Sequence, residues 1–189
     1  MFTPNPDLEP DGPLAVVAAH SFFPSGGRRR RMAGGLARLA SGRLLLTFVL
    51  GPMPRRNDGA VMIATSDDGG VTWSEPLPLF ASPGWDCYPM AGPRPLGDDR
   101  FRLFVGRVQF APALGGKQPF TGWRASYIDT VDGGRTWSEL APDVELYPGW
   151  TEIYGASNPH RLSDGRLMWA ASGTLGRDVD WQFGVSFTD

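Results

Sequence analysis

The stretch Ser66-Asp67-Asp68-Gly69-Gly70-Val71-Thr72-Trp73 decides the fold, because it returns 64 residues later as Thr130-Val131-Asp132-Gly133-Gly134-Arg135-Thr136-Trp137. Both copies place a hydroxyl residue first, then an Asp, a Gly, a Thr and a Trp at the same spacing (Ser66, Asp68, Gly70, Thr72, Trp73; Thr130, Asp132, Gly134, Thr136, Trp137). Each position has a turn-closing chemistry. An Asp in a tight turn accepts backbone N–H bonds that the strand ladder cannot supply there. The Gly admits a positive φ, the hydroxyls satisfy further turn groups, and the Trp lays a large apolar surface against the sheet. A third copy begins at Thr188-Asp189, 58 residues after Thr130.

Working outward, each copy follows an apolar strand: Ala60 to Thr65, Trp123 to Ile128, and Trp181 to Phe187. Before each of these strands lies a hairpin pattern of strand, Gly or Asp turn, and second strand. These run from Arg38 to Leu46, from Arg94 to Leu103 and from Arg161 to Trp169. Asp164-Gly165 is a strong hairpin signal within the last of them. Pro83-Gly84-Trp85 is echoed by Pro148-Gly149-Trp150 at a 65-residue offset. A repeat of about 60 residues holding four short strands is the unit of a β-propeller, which buries its faces by stacking on its neighbours. The expected fold is therefore all-β, with blade one at about 31–82, blade two at 83–147 and an incomplete blade three at 148–189. Leu14 to Ala19 reads as a strand lent to a closing blade, and no helix is expected.

The composition agrees with many short strands and tight turns: 25 Gly, 18 Pro and 7 Trp in 189 residues. A net charge of −2 leaves no electrostatic footprint for nucleic acid or an anionic membrane. Cys87 is the sole cysteine, so no internal disulfide can form, and it reads as a small buried apolar side chain. Two His and one Cys argue against a structural zinc site. No run approaches the roughly 20 apolar residues of a membrane-spanning helix. The start lacks the basic lead and apolar core of a signal peptide, which slightly favours the cytoplasm while leaving localisation unknown.

With two complete boxes at blade spacing, the chain resembles the sialidase (neuraminidase) superfamily, also known for its Asp-box or BNR repeats, from residue 31 onwards. The resemblance implies a propeller of about six blades, with the rest of it expected beyond Asp189. It also implies that the boxes are structural and lie on the blade periphery. The competing reading, calcium loops built on Asp67, Asp68 and Asp132, lacks the carboxylate number and the bidentate Glu such a loop uses. No metal and no organic cofactor are expected.

Sialic acid carries a carboxylate, and the family holds it with three arginines, whose guanidinium forks pair bidentately with a planar anion. By the resemblance the first of them is Arg31, in Arg31-Met32-Ala33, although the family's proline is missing. The neighbouring Arg28 to Arg30 read as a solvated basic loop. The acid/base position falls on Asp58, in the loop after blade one's second strand, against the alternative of a simple Asn57-Asp58-Gly59 turn. Asp86 is a candidate for a sugar hydroxyl, and Trp85 and Trp150 for aromatic platforms, packing between blades being the commoner fate of such rings. The family's nucleophilic tyrosine with its glutamate, and two further arginines, are not found here. Glu152 and Tyr154 precede a blade's first strand and do not match that pair. The resulting expectation is a glycosidase, an exo-acting hydrolase of a terminal acidic sugar of the sialic acid type. The alternative is a non-catalytic propeller that binds carbohydrate or protein through the same scaffold.

Overall fold

The computed structural model describes residues 29–52, 57–112, 120–145, 147, 149–150, 152–156, 160–174 and 182–187. Among them there are strands, turns and bends but no helix. Twelve strands form three open, four-stranded antiparallel sheets. Sheet one is a meander of β1 (Arg29–Arg38), β2 (Leu44–Pro52), β3 (Ala60–Ser66) and β4 (Leu77–Phe80). Sheet two contains β5 (Asp86–Pro89), β6 (Arg94–Gly97), β7 (Arg100–Phe110) and β8 (Phe120–Thr130). Sheet three contains β9 (Glu152–Ala156), β10 (His160–Arg161), β11 (Leu167–Thr174) and β12 (Gln182–Phe187).

One plan underlies all three. In sheets two and three the first strand is broken into two pieces, and both pieces pair with the same neighbour: β5 and β6 with β7, β9 and β10 with β11. In sheet one that strand is continuous but bulged between Ala33 and Gly35. The bulge of sheet one lies against the break in the first strand of sheet two. A Cβ on Gly35 would meet the Gly92 backbone at 2.5 Å, and one on Gly34 would run into the Pro89 ring, so the first strands of sheets one and two touch where only small residues fit.

Burial follows the pleat. Val61, Cys87, Leu103, Val105 and Ile128 form a core between sheets one and two, and Cys87 is fully buried. That burial pushes its thiol up to about 11, as expected of an inert apolar side chain. Ala37, Leu39, Leu45, Ile63 and Phe101 form a second core beside it. A third, around Tyr88, Val108, Ala125, Ile153 and Ala171, joins sheets two and three. There the Tyr88 hydroxyl donates to the Ile153 carbonyl at 2.7 Å and accepts from Trp123 Nε1 at 2.7 Å.

The two box turns share the same framework of bonds. Asp68 Oδ1 accepts from Ser66 Oγ and Thr72 N, both at 2.8 Å, and Oδ2 accepts from Thr72 Oγ1 at 2.6 Å. Asp132 repeats this with Thr130 Oγ1 at 2.9 Å, Thr136 N at 2.9 Å and Thr136 Oγ1 at 2.6 Å. The first hydroxyl then accepts from the Gly70 or Gly134 amide, at 2.8 and 3.0 Å. Gly70 and Gly134 sit at φ 96° and 82°, which only glycine adopts without strain. Trp73 and Trp137 are half-buried rather than fully buried. The reason is visible in the turn: each indole N–H reaches back to the carbonyl of Gly70 or Gly134, which holds one ring edge at the surface.

Candidate functional site

Strand register decides where the chemistry-bearing residues gather. In sheet one Arg31 stands opposite Leu50, and Leu50 opposite Ala60, so Arg31 lies in a row that ends two residues past Asp58. The box turns leave β3 and β8 at the far end, where Leu44 faces Ser66 and Phe101 faces Thr130. Asp86 opens β5, following the Pro83-Gly84-Trp85 turn, and Trp150 lies in the matching turn ahead of β9. Arg31, Asp58, Trp85, Asp86 and Trp150 therefore all belong to the sheet ends opposite the boxes. Within this row only the backbone of Arg31 is described. The same holds for Glu152 and Tyr154 on β9, while Arg28, Leu14 to Ala19 and the opening of the third box at Thr188 lie outside the described residues.

Asp58 is exposed, and both of its neighbours are tied to sheet two. The Asn57 side chain donates from Nδ2 to the Phe110 carbonyl at 2.9 Å and accepts from the Phe110 amide at 2.8 Å. Asn57 itself has φ 57°, a turn conformation that Asn tolerates better than most residues. On the other side the Gly59 carbonyl accepts from the Cys87 amide at 2.9 Å. The chain thus bends at Asn57 while Asp58 remains exposed beside it.

Asp86 is only 3% exposed. Its carboxylate occupies the space a Cβ on Gly59 would need and lies 3.8 Å from that of Gly51. The side chain is therefore seated in the seam between sheets one and two, beneath the loop that carries Asp58. The two tryptophans take equivalent places. Each amide closes its turn, Trp85 onto the Ser82 carbonyl at 3.1 Å and Trp150 onto the Tyr147 carbonyl at 3.0 Å. Each ring leans on a glycine in the third strand of its own sheet, Trp85 on Gly122 and Trp150 on Gly184. Trp85 also lies under the Arg107 guanidinium, 5.4 Å from ring centroid to Cζ, and Trp150 stacks against Tyr147 at 4.9 Å. Both rings are half-buried, with packing as their evident work.

Some of the polar features had not been anticipated in the sequence. Arg107 on β7 pairs with Asp143, which also faces Arg124 at 3.5 Å. Arg102 pairs bidentately with Asp129 at 2.8 and 2.9 Å while its guanidinium covers the Tyr127 ring at 3.7 Å, and the carboxylate raises the arginine's pKa. Cross-strand register sets Arg102 opposite Asp129 and Arg107 opposite Arg124, and Asp143, beyond the end of β8, pairs with both Arg107 and Arg124. Arg102 and Arg107 stand five residues apart on β7, as do Arg124 and Asp129 on β8, so no simple alternation in the sequence marks them. Among the described residues no three His, Cys, Asp or Glu side chains come together as a metal site.

No family model matches the chain, and no curated protein matches it. Among solved structures it is similar to a protein of unknown function from Dyadobacter fermentans DSM 18053. The TM-score is 0.62 at 18% identity, over 87% of this chain and 52% of the other. The chain thus spans about half the length of that structure, and the likeness is one of fold alone.

Proposed function

We propose that this chain is a three-blade portion of a sialidase-type β-propeller, and that the intact protein is a sialidase-like glycoside hydrolase acting on a terminal acidic sugar. The observation that carries the reading is the polarity of the sheets. Two Asp-box turns with the same bonds close one end, and Arg31 and Asp58 share the other end of sheet one. In this scheme Arg31 pairs with the sugar carboxylate, and Asp58 gives a proton to the glycosidic oxygen as the anomeric C–O bond breaks and the alcohol leaves; water takes the alcohol's place at the anomeric carbon and its proton restores Asp58. The remaining groups of the reaction lie outside this chain.

The test is release of a fluorophore from a terminal sialoside by the intact protein, with a neutral glycoside as control. Arg31→Ala is expected to raise KM for the sialoside, and Asp58→Asn to lower kcat with little effect on KM. Absence of sialoside cleavage, with retained glycan or protein binding, would move the assignment to a non-catalytic propeller. The specific observation on that side is the use of Asp86, Trp85 and Trp150 in packing.

A further inference from the structure

We infer that Asn57 and Asp86 are positioning residues: together they fix the Asp58 loop across the seam between sheets one and two. This rests on the catalytic reading of Asp58 proposed above. The loop's described residues 57–59, ahead of β3, are bonded to the neighbouring sheet. Asn57 makes two bonds to one backbone unit, the Phe110 amide and carbonyl, as a strand residue would. One residue beyond Asp58, Gly59 is bonded to the Cys87 amide and has the Asp86 carboxylate packed where its side chain would be. Gly59 does not adopt a left-handed backbone, so glycine is required there for space and not for conformation. Asp58 is thereby clamped on both flanks while remaining exposed itself. A reactive group needs this arrangement, because small misplacements of a catalytic side chain lower rates steeply.

Asn57→Ala, Gly59→Ala and Asp86→Asn would be compared in the intact protein with Thr136→Val, which weakens a box turn at the far end of sheet two. Two readouts separate this inference from the proposed reaction. The first is amide hydrogen exchange at Phe110 and Cys87, which needs no activity. Asn57→Ala is expected to speed exchange at Phe110, and Gly59→Ala at Cys87, each by about tenfold or more, with no such change in Thr136→Val. Unchanged protection at both amides would overturn the clamp, whether or not the protein cleaves a sialoside. The second is the split between kcat and KM for the sialoside. The three seam variants are expected to lower kcat by about 10- to 100-fold with KM nearly constant. If they reduced kcat no more than Thr136→Val, the positioning role would be overturned. If the parent protein lacked activity while exchange responded as expected, the seam clamp would stand as a structural fact, the catalytic reading would fail, and positioning for catalysis would fail with it.

Discussion

At the scale of single residues the box aspartates are the sharpest case. Hydrogen bonds from the Thr72 hydroxyl and amide hold Asp68 down to about 2, and those from the Thr136 hydroxyl and amide hold Asp132 there also. A carboxylate depressed in the folded state stabilises that state fully above its ordinary pKa of about 4 and loses the contribution as pH falls towards 2. Asp132→Asn is therefore expected to melt lower than the parent at pH 6, with the gap closing between about pH 4 and 2 in thermal scans. A gap that persisted at pH 2 would show that geometry, and not charge, is what the turn requires. Trp137 differs in kind, since its half-buried ring rests against the cores around Leu45 and around Ile128. Trp137→Ala should cost about 2–4 kcal/mol, below the value for a fully buried ring, measured by denaturant unfolding.

At the scale of elements, glycines at non-turn positions in the strands decide how closely sheets and side chains approach. Gly106 lies in β7 under the Tyr88 ring, and a Cβ there would enter that ring. Since Tyr88 also carries the bond to Ile153, Gly106→Ala should loosen sheet three from sheet two at a cost of about 1–3 kcal/mol. The checking experiment is a chemical melt of this variant beside Gly122→Ala, where the Cβ would meet only Gln109 at 3.3 Å and the Trp85 ring at 3.8 Å. Equal destabilisation by the two would argue against a special role for the Tyr88 contact. The second box turn also approaches sheet one closely: a Cβ on Gly133 would lie 2.7 Å from Leu39 and one on Gly134 3.0 Å from Leu45.

For the whole molecule, the outer strands tell the sheets apart. In sheet one β4 covers the edge of β3, and in sheet two the segment at Ala141 and Val144 bonds to Tyr127 and Ala125 of β8. Among the described residues β12 pairs only with β11, and Phe183 and Val185 on it are 87% and 54% exposed. An apolar edge of that kind invites pairing with another chain. Residues 1–189 produced alone should therefore self-associate with rising concentration in light scattering, and Phe183→Lys with Val185→Lys should reduce the association. A monomer at all concentrations, melting cooperatively, would count against an exposed edge in solution.

Much of this was written in the chain itself. The repeated Ser/Thr-Asp-Gly-Thr-Trp turns, the hairpin patterns from Arg38, Arg94 and Arg161, and the glycine content dictated all-β units of about 60 residues, because such turn chemistry is local and acts within a few residues. The candidate site was legible only as positions: Arg31 and Asp58 are named by the resemblance to the sialidase superfamily and Asp86 by its place in the equivalent loop of the next repeat, and strand order alone assigns none of them a role. Tertiary structure alone decided that Asp86 is buried on Gly59, that Asn57 is bonded to Phe110 53 residues away, and that Trp85 and Trp150 lean on glycines of their own sheets. Those contacts depend on how one sheet docks against another and on cross-strand register, and no local propensity encodes the distance between residues that meet only after the sheets have stacked.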